Sequence, residues 1–161
     1  MPPAARVTDP VSHPLPPMLT PGPGSSNCMI GYLPAWRGVP VGAAAAIQAA
    51  KQAADIAVQA AEAATKAAAG TPGAPAAYAA EQTLKSSVLA SMSSMMTGSG
   101  ADIHSCVTPS PVPPHGPGVV LQCSTTVMIG NLPAARQGDK VIEPLGPPNA
   151  IAMGCTTVII G

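Results

Sequence analysis

Phenylalanine is absent from the 161 residues, and there are only one tryptophan and two tyrosines. A chain so short of aromatic bulk cannot fill a wide core, so its interior must be built in thin layers of small residues. Charge is scarce too: seven basic and seven acidic side chains cancel to a net charge of zero. Without a basic cluster nothing neutralises a phosphate backbone, which excludes nucleic acid as a partner. Long uninterrupted apolar runs are also missing. The longest apolar stretch carries Lys51, Asp55, Glu62 and Lys66 at intervals, and no basic segment followed by a leucine-rich one opens the chain. Stable membrane insertion and a cleaved signal peptide are therefore not expected. Four cysteines without a small secreted framework point to reduced thiols or metal ligation rather than disulfides.

What the sequence has in abundance is proline, 21 residues, and glycine, 16. That content approaches the range of disordered chains unless it is periodic, so order depends on repetition. Repetition is present. "PAAR" stands at 3–6 and again at 133–136, each time with an Asp three residues after the Arg, at Asp9 and Asp139. Three segments close alike: "SSNCMIG" at 25–31, "STTVMIG" at 124–130 and "CTTVIIG" at 155–161. Arg6 to Gly31 spans 25 positions and so does Arg136 to Gly161, while Gly130 and Gly161 are 31 apart. Such a period belongs to a repeated supersecondary unit.

The middle copy opens on "LPAWRGVP" and runs 93 positions from Arg37 to Gly130. It therefore holds about 68 extra residues, of which about 62 precede Asp102 and about six follow it. The large insertion is Ala-rich over 43–69, with Gln48, Lys51, Gln52, Asp55, Gln59, Glu62 and Lys66 in a narrow helical stripe. "GTPGAP" at 70–75 predicts a turn, with Pro75 opening a second helix that continues to roughly Met96 and stops at "TGSG". A solvent-exposed antiparallel helical hairpin is the plain expectation. In the repeats themselves, Cys28, Val127 and Val158 share one slot, Met29, Met128 and Ile159 the next, and Ile30, Ile129 and Ile160 the third. Alternation over a β-branched run predicts strands. The predicted fold is mainly β, a small pseudo-threefold β-cone of three short repeats at 1–41 and 97–161 with a helical hairpin inserted at 42–96. Arg37 and Asp102 stand where uninterrupted copies are only three residues apart, so joining Gly42 to Ser99 should leave the cone intact.

The three histidines are His13, His104 and His115. His13 lies four residues after Asp9, and the matching slots after Asp102 and Asp139 are Cys106 and Glu143. In a threefold arrangement these slots converge. His104 and His115 flank Cys106 in "HSCVTPSPVPPHG", so His13, His104, Cys106 and His115 form a candidate tetrahedral zinc set of nitrogen and sulfur donors. A metal would add folding energy that a small core lacks. Histidines capping polar loops are the plainer alternative, and Glu143 leaves open which group completes the set. Cys28, Cys123 and Cys155 fall at small or apolar slots and read as packing residues. Asp9 and Asp139 could pass for an acid–base pair, but their recurrence with the repeat favours turn-forming carboxylates. No phosphate-binding glycine loop and no Ser/His/Asp arrangement is evident.

These residues resemble the PAAR-repeat proteins: Pro3-Ala4-Ala5-Arg6, Pro133-Ala134-Ala135-Arg136, the closing "TVMIG" and "TVIIG", and the "DIHSC…PPHGPG" loop. Ala4-Ala5-Arg6, Asp9 and His13 also resemble the family's A-A-R-x-x-D-x-x-x-H prePAAR motif. The resemblance implies the tip of a type VI secretion spike. It implies a β-cone with structural zinc near its vertex, held by His13, His104, Cys106 and His115, whose base caps a trimeric VgrG as a monomer on the threefold axis. It implies no enzyme, made in the cytoplasm and exported by the secretion machine. A zinc hydrolase is disfavoured because four protein ligands close the metal. The alternative is an adaptor whose hairpin recruits a separately encoded effector or chaperone. Two departures stand out: Trp36 in the second copy, and a third loop, "EPLGPPN", with neither His nor Cys.

Overall fold

The computed structural model describes residues 1–12, 24–106 and 115–161, with Cys106 by its backbone alone. The described strands are β1 (Pro3–Ala4), β2 (Met29–Ile30), β3 (Leu33–Pro34), β4 (His104–Cys106), β5 (Gly116–Val120), β6 (Met128–Ile129), β7 (Leu132–Pro133), β8 (Lys140–Ile142), β9 (Asn149–Ala150) and β10 (Cys155–Ile159). Two helices, α1 (Val41–Ala68) and α2 (Ala74–Gly98), interrupt them between β3 and β4. The fold is thus a set of small antiparallel sheets with a helical insertion, as the repeat predicts.

Two hairpins repeat one another. Met29 pairs with Pro34 in β2–β3 and Met128 with Pro133 in β6–β7. Their two-residue turns, Gly31-Tyr32 and Gly130-Asn131, have positive φ throughout, between 54° and 68°. Two successive positive φ values are the tight hairpin turn that matches strand twist, and glycine takes the first at no steric cost. The third hairpin is split between the chain ends: Ile159 of β10 pairs with Pro3 of β1. The first strand therefore completes the last repeat. Along these strands Ile30, Ile129 and Ile160 are buried while Met29, Met128 and Ile159 are 57%, 54% and 46% exposed, which is the expected alternation.

Hydrogen bonds close the three copies into rings. Ala5 N–H donates to Ala135 C=O, Ala135 to Trp36, and Trp36 to Ala5, at 2.9–3.0 Å. A second ring runs from Val7 to Pro34, Gly38 to Pro133 and Gln137 to Pro3, at 2.8–2.9 Å. Each copy thus donates to another around a pseudo-threefold axis. Trp36 occupies the slot of Ala5 and Ala135 and lies fully buried in the cluster formed with Val7, Val11, Val120, Val141 and Ile151. One large ring at a single copy supplies bulk that two alanines cannot.

α1 and α2 form the antiparallel pair, with Pro75 in the first turn of α2 and an end near the predicted "TGSG". At 28 residues, α1 is about 42 Å long. The hairpin is not simply solvent-exposed. Ile47, Val88, Met92 and Met96 share one buried cluster with Val39, Val119, Leu121, Ile142 and Leu145 of the β part. Lys51, from the polar stripe, is buried; its ammonium donates to the Gly146 carbonyl at 2.9 Å and pairs with Asp55. Among the described residues, no helix is long and apolar enough to cross a membrane.

Candidate metal centre

Each copy carries an Arg–Asp turn. Asp9 Oδ2 accepts from Arg6 N–H at 2.7 Å, and Asp139 Oδ2 from Arg136 N–H at 2.8 Å. In the second copy Asp102 Oδ2 accepts from Arg37 N–H at 2.8 Å across 65 residues of chain. The guanidinium closes the same pair, with Arg37 Nη2 donating to Asp102 Oδ1 at 2.7 Å, and this bond raises the Arg37 pKa further. These carboxylates tie loops, in line with the turn reading. Burial nonetheless holds the Asp139 carboxyl above the usual range, against the opposing pull of Arg136.

The tie at Asp102 delivers β4 to the four-stranded sheet, whose order is β4-β5-β8-β9. His104 pairs with Gly118 of β5, and Val119 of β5 pairs with Ile142 of β8. Continuing that register by one residue sets Glu143 beside Gly118. His104, Gly118 and Glu143 therefore form a row across three strands, with partnered side chains on one face. The outer backbones in such a row are about 9–10 Å apart. Because Gly118 has no side chain, the outer two can meet over it; a Cβ there would come to 3.0 Å of Glu143 Cγ.

They do meet. His104 Nε2 lies 3.6 Å from Glu143 Oε1, with both side chains fully buried. His115, the residue before β5, places Nδ1 2.9 Å from Glu143 Oε2. One carboxylate thus touches two imidazoles, one through each oxygen. On its other side the His115 ring borders Gly146, where a Cβ would come to 3.2 Å of Nε2. Glycine adds no side chain there.

Of the four ligands expected, the structure brings His104 and His115 to one centre. His13 lies outside the described residues, as does the side chain of Cys106, whose backbone pairs with Gly116. Among the described residues, no three His, Cys, Asp or Glu side chains by themselves make a set that could hold a metal. Two imidazoles are nonetheless donors of a type that zinc accepts, and a carboxylate beside them is the kind of group that orients a metal-binding imidazole. The sequence register flagged Glu143 only as an equivalent slot. Gly118 and Gly146 it did not flag, and Lys51 it placed only on a polar helical stripe, because their roles come from neighbours distant in the chain.

The remaining cysteines are packing residues. Cys28 and Cys155 join the apolar cluster of Ala4, Ile30, Ala35, Ile129 and Ile160. A hydrogen bond with the Thr157 hydroxyl pulls the Cys155 thiol down. Burial pushes the Cys123 thiol up to about 12. All three are free thiols.

No curated protein matches the chain. Residues 112–161, which include His115, Glu143, the second "Pro-Ala-Ala-Arg" and the last strand, match the family model described as PAAR motif. The same motif recurs around the pseudo-threefold axis, which is consistent with a PAAR-repeat protein.

Proposed function

We propose that this protein is the structural, zinc-holding tip of a type VI secretion spike, a single chain that caps a VgrG trimer and sharpens it for membrane puncture. The observation that carries the reading is the closed ring of Ala5, Trp36 and Ala135. It gives one chain three similar edges about one axis, and such a chain can match a threefold partner where a single copy could not. Zinc is assigned to His104 and His115 together with His13 and Cys106. When bound, it would cross-link the loops after each Arg–Asp tie and supply stability that the thin core lacks. On this reading residues 1–41 and 97–161 make the cap, residues 42–96 are an appendage rooted in it, and no catalysis is required. Retention on an immobilised cognate VgrG trimer tests the cap. The intact chain is expected to be retained, and Trp36→Glu, which puts a charge into the core within the ring, is expected to lose retention. A folded, zinc-loaded chain that is never retained would overturn the proposal.

A second reading adds a role for the hairpin. Ile56 of α1 and Tyr78 of α2 are exposed large side chains away from the shared core, and they could dock an effector or its chaperone. Ile56→Glu with Tyr78→Glu should then keep VgrG retention and lower effector loading. Unchanged loading would remove the adaptor role and leave the cap standing.

A further inference from the structure

We infer that Glu143 is the positioning carboxylate of the metal centre, which fixes the tautomer and orientation of His115 and steadies His104, and that Gly118 is the gap that lets it do so. The inference rests on the proposed zinc site but adds a residue to it.

A metal-binding histidine must present one particular ring nitrogen, and the hydrogen bond on its other nitrogen selects which. Glu143 Oε2 stands 2.9 Å from His115 Nδ1. With Glu143 as a carboxylate, which can only accept, this bond requires the proton on Nδ1, and a neutral ring then carries its lone pair on Nε2. Nε2 lies on the ring edge beside Gly146, where a Cβ would come to 3.2 Å of it. The second oxygen, 3.6 Å from His104 Nε2, is outside hydrogen-bond range but sets a negative charge against that ring. A fully buried carboxylate is costly without a hydrogen-bond partner, and the His115 imidazole is one.

The backbone is arranged for this contact. Glu143 follows β8 directly, and its Cγ stands where a residue-118 side chain would press on it. A Cβ at position 118 would also come to 3.0 Å of Val141 Cγ1 and 3.2 Å of the Ile142 carbonyl, and the carbonyl cannot withdraw without moving β8. Gly118→Ala therefore displaces Glu143 while leaving every proposed ligand in the chain.

Zinc affinity of the full chain, by chelator competition, separates the outcomes. Glu143→Ala is expected to weaken zinc binding about 10- to 100-fold. Glu143→Gln, whose amide oxygen can still accept from Nδ1, should recover part of the loss, and Gly118→Ala should fall toward the Glu143→Ala value. Equal affinity in wild type and Glu143→Ala would overturn the role of Glu143 alone, whereas a wild-type chain that binds no zinc would remove the site itself. Should the variants fold poorly, imidazole nitrogen NMR of the zinc-loaded wild type still decides. A proton on His115 Nδ1 with zinc on Nε2 supports the assignment, and zinc on Nδ1 contradicts it.

Discussion

The Arg37–Asp102 pair holds together two chain segments that the insertion separates, and its carboxylate is the most enclosed of the Arg–Asp turns. Arg37 also donates to the Gly24 carbonyl at 2.9 Å. Removing one partner of a buried ion pair costs about 3–5 kcal/mol because the other charge is stranded. Arg37→Ala is therefore expected to lower stability in urea melts by more than Arg6→Ala or Arg136→Ala, whose partners are four residues' worth of local turn. Equal losses would show that the second tie holds nothing extra. At Cys123, a thiol pushed up to about 12 has almost no thiolate at pH 8. Iodoacetamide should label this half-buried thiol slowly in the folded chain and faster after unfolding; rapid labelling of the folded chain would contradict the raised pKa. The turns at Asp9 and Asp139 were legible in the sequence because their partners lie three residues away, and the repeat carried the reading to Asp102. The role of Gly118 and the burial of Lys51 were not, since the first matters only through a register set by β4 and β8, and the second through a carbonyl in a distant loop.

At the scale of elements, the hairpin's existence, its turn and the start of α2 were readable from alanine content and from Pro75. Its rooting in the β part was not, because the few large residues that do it, Ile47, Val88, Met92 and Met96, are spread thinly among alanines. Met96, fully buried, should therefore behave as a core residue. Met96→Ala is expected to cost about 2–5 kcal/mol, and Ile56→Ala, on the exposed side, no more than about 0.5 kcal/mol. By the same packing, joining Gly42 to Ser99 would bare Val119, Leu121, Ile142 and Leu145. The arithmetic of the repeat permits that excision, but the shared cluster predicts loss of solubility unless those positions are made polar.

Further along the hairpin, Lys85 of α2 binds Glu81 on its own helix at 2.7 Å and Glu62 of α1 at 2.8 Å. The Lys85 hydrogen bond holds the Glu81 carboxyl below its ordinary value of 4.5. A lowered folded-state pKa stabilises the fold above the unfolded value, and that contribution is lost as pH falls through the folded one. Helicity followed by circular dichroism should therefore melt at lower temperature as the pH drops below about 4.5, and Lys85→Met should flatten this dependence. Asp139 has the opposite sign: its raised pKa favours the protonated folded form, so acid does not loosen the β part through that group. A hairpin whose melting is indifferent to acid would contradict the Glu81 assignment.

At the scale of the whole molecule, the threefold rings make the chain ends into a working joint, with β10 supplying the partner of β1. The repeat predicted three units but not that the last would be closed by the first strand, because the pairing of chain ends leaves no local signal. The central claim is that one chain presents three equivalent edges to one threefold partner. Native mass spectrometry of the chain mixed with a cognate VgrG trimer tests it most directly. The account predicts a single complex of one chain, one zinc and three VgrG subunits; three copies of this chain on one trimer would contradict it.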